Sequence, residues 1–213
     1  MDSQITLVNP AKSTTYTFTP NSMISASITA SQSPGKPLYT LTTNSTDSSV
    51  IKDARPGSGG AVVAKIARHL MLPDAVAFVG PDGGKPKEIR VGKWMKEAKL
   101  GGNSGYIIET GEGFRVFFRR HVEHRLALFL DSDLDTPLAF FRLPNPEHPL
   151  SAVSIVIDGR VPEEFHIQVL LAFMYEEHRM RQHEKWTLTA EARTTATNGR
   201  WGYATAGSGQ YMS

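Results

Sequence analysis

The sequence contains no cysteine. That absence excludes disulfides, thiolate zinc sites, iron–sulfur clusters and a cysteine nucleophile together. It also lacks a charge excess: 23 Lys and Arg stand against 21 Asp and Glu, a formal net charge of +2, too little to argue for a polyanion-binding protein from charge alone. No basic region followed by an apolar run opens the chain, so a secretory leader is not expected and an intracellular compartment is. The most apolar stretch, residues 165–175, is interrupted by His166 and Gln168. It is roughly half of the ~20 residues needed to cross hydrocarbon, so the chain is not expected to be transmembrane. No internal repeat is visible, which argues against a propeller or a solenoid.

What is present is a chain of 213 residues, 40% hydrophobic and 21% charged. That is one domain of ordinary size, or at most two very small ones, and neither a disordered chain nor a disulfide scaffold. Residues 1–37 are rich in Ser, Thr, Asn and Pro and read as a loosely ordered arm with one or two edge strands. From Leu38 onward, short β-branched or aromatic runs alternate with Gly, Pro, Asp and Asn clusters. Strands are expected over 38–43, 48–53, 61–68, 75–79, 87–91, 106–109, 114–120, 125–130, 138–143 and 152–158. Spacing of about ten residues leaves no room for crossover helices, so the strands are expected to be antiparallel. Ten or more of them must close or fold over themselves to remove their edges.

One segment breaks the β pattern. Pro162 stands at a first-turn position, Glu163 and Glu164 lie where the helix dipole favours acids, and Arg179, Arg181 and His183 lie where it favours cations. A helix over 162–184 follows. It is apolar around its circumference between Phe165 and Tyr175, so it needs apolar neighbours on all sides. A closed antiparallel β-barrel of about twelve strands around this one central helix satisfies both halves of the sequence. Residues 185–213 are poor in aliphatics and read as a flexible tail, although Trp201 and Tyr203 are unusual in one.

This order of elements resembles the tubby C-terminal domain, whose barrel the LURP-one-related and phospholipid-scramblase families share. The nearest resemblance is to a fungal family of uncharacterised tubby-like proteins. It is carried by Ala64-Lys-Ile66, Ile89-Arg-Val-Gly-Lys-Trp94-Met, Gly113-Phe-Arg-Val-Phe-Phe118, Arg125-Leu-Ala-Leu-Phe-Leu130, Leu138-Ala-Phe140-Phe and Phe173-Met-Tyr-Glu-Glu177, and covers residues 38–184. The resemblance implies the fold, and by analogy a binding role toward phosphoinositide or other phospholipid headgroups. The cysteine-rich and proline-rich regions of scramblases are missing, and transport is not implied.

The +2 conceals a cancellation. Residues 85–125 hold ten Lys and Arg against five Glu, whereas residues 126–184 hold four Arg against ten Asp and Glu. Within the basic segment, Trp94 sits between Lys93 and Lys96, combining a ring that prefers an interface with cations that prefer anionic headgroups. Lys93, Trp94, Lys96, Arg115 and Arg119 are the candidate ligand-binding residues; the alternative is that Trp94 packs inward and the lysines are a solvated face. The charge is too low for a nucleic-acid partner.

Seven histidines invite a metal reading, and geometry argues against it. In an extended chain His121 and His124 point to opposite faces and converge only if the segment is a tight turn. His178 and His183 are about 140° apart on a helix. Glu163 and His166 share a face at i and i+3, but a second such pair is missing. No metal and no cofactor is expected. His166 and Glu163 are the candidate acid/base groups, His166 being otherwise a hydrogen-bonded core histidine. The expectation is a monomeric, non-enzymatic domain that binds an anionic lipid headgroup or a protein partner; the alternative is a small-molecule-binding protein or enzyme with a pocket at the barrel mouth.

Overall fold

The computed structural model describes residues 13–204 apart from 21, 45–47, 70, 80–83, 85, 110–112 and 143–151, with side chains as far as residue 189. The chain divides into two compact units, Met1–Met174 and Tyr175–Ser213.

The first unit is mainly β. Its strands are β1 (Thr14–Thr19), β2 (Ala26–Ala30), β3 (Pro37–Asn44), β4 (Ser48–Asp53), β5 (Val62–Ala67), β6 (Ala75–Phe78) and β7 (Lys87–Arg90). A single helical turn, α1 (Val91–Trp94), leads into β8 (Met95–Leu100), β9 (Asn103–Glu109), β10 (Arg115–His121), β11 (Arg125–Leu130), β12 (Asp133–Arg142) and β13 (Val153–Ile157). A 3-10 turn at Glu163–Phe165 opens the long helix α2 (His166–Ala204).

All thirteen strands form one antiparallel sheet in the order β7-β6-β5-β4-β3-β2-β1-β13-β12-β11-β10-β9-β8. The ten strands expected from turn chemistry are all present as β3–β7 and β9–β13. β12 starts earlier than expected, at Asp133, because that carboxylate accepts the backbone N–H groups of Asp135 and Thr136 and the ladder to β11 is bulged there. Residues 14–30 do not supply edge strands: β1 pairs with both β2 and β13, in the interior of the order. The helix runs on to Ala204, through residues read as a flexible tail.

The hydrogen bonding is that of an open sheet. Among the described residues no ladder joins the terminal strands β7 and β8, yet only α1 separates them in the chain. Thirteen flat strands would span about 58 Å at 4.8 Å per step, whereas five Cα–Cα links from Arg90 to Met95 reach about 19 Å at most. The sheet therefore curls until its ends approach. Because an antiparallel order of thirteen makes its first and last strands run the same way, the chain passes from β7 to β8 without reversing. The end of β7 is thus linked to the start of β8 through α1 alone.

The helix start is enclosed as its composition requires. Val169, Leu170, Leu171, Ala172 and Phe173 are all 0% exposed. Aromatic edges reach it from one strand: Phe118 of β10 meets Phe173 at 4.9 Å, and Phe114, the residue before β10, meets Phe165 at 5.5 Å. A second apolar layer covers the other face of β10 and β11. Phe117 and Phe129, paired in register there, are fully buried. Phe117 lies flat on Gly105 of β9, where a Cβ would stand 2.8 Å from its ring and 2.5 Å from the Phe118 carbonyl oxygen. Only glycine leaves that room.

Candidate functional site

The sheet's two ends meet at α1, and the basic segment is concentrated there. Lys87 and Arg90 on β7, Lys93 on α1, and Lys96 and Lys99 on β8 are exposed. Lys96 lies 3.8 Å from Glu109. Edge strands rich in lysine are a common defence against strand addition, which gives these cations a structural use.

Trp94 is not at the surface. It is 6% exposed, its ring edge rests on Phe78 at 5.3 Å, and its indole N–H donates to the Gln168 side-chain oxygen at 3.3 Å. Of the two readings of Trp94, the inward one is the one found: Trp94 fastens α1 to α2 and satisfies one of the two polar groups in the apolar stretch of the helix. Exposed apolar surface stands next to α1 instead. Met71 and Leu72, in the β5–β6 loop, are 94% and 68% exposed, and the Val91 N–H donates to the Asp74 carbonyl of that loop at 2.8 Å.

Arg115 and Arg119 do not join the α1 cations in one free patch. Arg115 pairs with Asp131 at 3.3 Å. The Arg119 guanidinium lies 4.5 Å from the centroid of the Phe129 ring and donates to the Leu134 carbonyl oxygen at 3.3 Å. Arg119 is thus partly a cover for the outer apolar layer. The expected five-residue set separates into two exposed lysines, one buried pin and two engaged arginines.

His166 is buried, and both ring nitrogens are bonded. Nε2 faces the Val161 carbonyl oxygen at 3.2 Å and Nδ1 faces the Tyr16 hydroxyl at 2.9 Å. A carbonyl only accepts, so Nε2 carries the proton and Nδ1 accepts from Tyr16. Burial holds His166 below its ordinary pKa, outweighing the Val161 bond and the charges of Glu163 and Glu164. Burial, with Tyr39 and Glu163 adding to it, holds the Tyr16 hydroxyl well above its usual value. No lone pair is left for a general base. Glu163 is exposed on the 3-10 turn. Beyond it, β4 and β13 finish with the same device: Asp53 accepts the Arg55 N–H and guanidinium, and Asp158 accepts those of Arg160. The recurrence of Asp-x-Arg after two apolar runs is the sequence signal that would have found it.

A second pair, named in the sequence but left open, depends on a turn. His121 and Arg125 are cross-strand partners, so β10 and β11 are joined by only three residues, with Arg125 at φ 60°. That tight reversal brings the His121 and His124 rings into a stack, centroids 5.1 Å apart and 17° from parallel. The condition set for this pair, a tight turn, is the one met.

No helix among the described residues is long and apolar enough to cross a membrane. Compared with known proteins, residues 20–182 match the model of a family of unknown function, DUF6593. No curated protein and no solved structure matches.

Proposed function

The chain belongs to this DUF6593 family, and we propose that it is a non-enzymatic, intracellular binding domain that attaches to an anionic membrane surface around α1. The observation that carries the reading is the company of charge and apolar surface there. Lys87, Arg90, Lys93, Lys96 and Lys99 are exposed, and Met71 and Leu72 stand out from the loop bonded to α1. Cations near an anionic surface contribute about 1 kcal/mol each, and exposed apolar side chains add burial in the headgroup region. Met71 and Leu72 take the interfacial part expected of Trp94. The bonding of both His166 nitrogens favours binding over catalysis.

The fold proposed with it is a tubby-like barrel in which β7, α1 and β8 act as one interrupted strand around α2. The curl of the sheet and the end-to-end junction of β7 and β8 support this, since barrel strands are inclined and offset in register. Resemblance to the tubby-like families supports the lipid reading by analogy alone.

Co-sedimentation with vesicles tests it. Binding is expected to phosphatidylserine- or phosphoinositide-containing vesicles, to weaken with salt, and to fall roughly 30-fold or more in Lys93→Glu/Lys96→Glu, from about 1 kcal/mol per cation. Equal recovery with neutral and anionic vesicles, or none with either, overturns it; the second outcome returns the basic surface to a protein partner.

A further inference from the structure

We propose that the β10–β11 hairpin is a transition-metal site whose ligands are His121, Glu123 and His124. A nitrogen of each imidazole and a carboxylate oxygen of Glu123 lie within 4.8 Å of one another. The three-residue turn sets this convergence, and it holds a non-glycine residue, Arg125, in the left-handed region to do so. The backbone there is tight, with the Leu126 N–H donating to the His124 carbonyl oxygen at 2.5 Å.

A second observation is independent of that spacing. His121 Nδ1 is buried and has no hydrogen-bond partner among the described residues. Buried polar atoms are nearly always satisfied, and an orphan of this kind calls for a water or an ion. Both rings are also supported by apolar faces: His124 stacks on Phe140 at 4.4 Å and His121 leans on Phe129 at 5.9 Å. Such support orients ligand rings and excludes competing water. It also favours the neutral imidazole that a metal requires.

The donor set selects the ion class. Two nitrogens and one carboxylate oxygen suit Zn²⁺, Ni²⁺ or Cu²⁺, with positions left open, and do not suit Ca²⁺ or Mg²⁺. A tetrahedral ion with bonds of about 2.1 Å needs donors about 3.4 Å apart, so the exposed Glu123 and the turn residue His124 must close inward on binding. The guanidinium groups of Arg119 and Arg142 lie close enough to depress the imidazoles. They oppose a dication as well, which makes this a moderate-affinity site without the closed geometry of a structural zinc.

Isothermal titration of the full chain with ZnCl₂, with CaCl₂ as the contrast, tests the assignment. One Zn²⁺ per chain is expected, with at least tenfold weaker binding in His121→Ala and in His124→Ala, a smaller loss in Glu123→Gln, and no heat with Ca²⁺. Imidazole ¹⁵N resonances of His121 and His124 should shift on saturation, a readout that survives any change in folding of the variants. Absence of Zn²⁺ binding overturns the proposal, and so does binding that persists undiminished in a folded His121→Ala/His124→Ala chain.

Discussion

Tyr16 and His166, 150 positions apart, share a hydrogen bond of 2.9 Å in which the hydroxyl donates to the imidazole. It joins the first strand to the first turn of α2, and burial there favours the neutral imidazole. Replacing Tyr16 with Phe removes the donor and leaves Nδ1 buried and unsatisfied, which costs about 1–3 kcal/mol. The urea midpoint should fall accordingly; an unchanged midpoint would mean that this bond does not hold β1 to the helix.

The same pair sets a pH window. Burial lowers the pKa of folded His166, whereas the unfolded imidazole titrates near its ordinary value of about 6.5. Below that pH the unfolded chain binds a proton that the folded chain refuses, so the stability from a neutral His166 is complete above about 6.5 and is lost as pH falls. His121 and His124 act in the same direction. Thermal melts should drop between pH 7 and 5.5 even in His121→Asn/His124→Asn, where His166 alone remains of the three. Tyr16 bounds the other side. Its folded pKa is raised, so its contribution is intact below about 10 and lost as pH climbs past it.

Leu170 is fully buried in the apolar first turns of α2. Leu170→Asp should abolish cooperative unfolding, since an unpaired charge would be left in the core. Leu170→Ala should still fold, with a loss of about 2–5 kcal/mol. An Asp variant that melts like the parent chain would show that the helix is not enclosed.

At Gly105 a methyl group would meet the Phe117 ring and the Phe118 carbonyl oxygen, whereas at Gly92 on α1 it would meet nothing within 4 Å. Gly105→Ala should cost about 1–3 kcal/mol by forcing β9 away from β10. Gly92→Ala should be neutral, or stabilising by up to about 1 kcal/mol. Equal midpoints for the two variants would remove the reason for glycine in β9.

How much of this was legible in the sequence depended on whether the signal was local. Turn residues between β3 and β7 and between β9 and β13 announce themselves, and a helix apolar all round has few places to go. β1 hides because Thr14, Tyr16 and Phe18 are buried between threonines that look like loop composition. β8 hides because only Met95 of its six residues is fully buried and lysines fill its open side. The stacking of His121 and His124 turns on one three-residue reversal, which spacing alone leaves undecided. The flanking lysines left the direction of Trp94 open between surface and interior, and its partner was beyond reach, since Gln168 is 74 positions away.

That last contact leads to a prediction about the junction of the sheet's two ends. Trp94 does two things: its ring packs on Phe78 beside the end of β6, and its N–H satisfies Gln168 in the apolar stretch of α2. Trp94→Phe keeps most of the packing and removes the donor; Gln168→Leu removes the acceptor. If the hydrogen bond is what fastens α1 to the helix, either change should destabilise by about 1 kcal/mol, because Trp94→Phe leaves the half-buried Gln168 amide unpaired and Gln168→Leu leaves the buried indole N–H unpaired. The double variant removes both needs at once, and should be less destabilised than the sum of the single changes. Strict additivity of the two would show that this bond does not hold α1 to the helix, and that the Phe78 packing and the Val91–Asp74 backbone bond keep it in place.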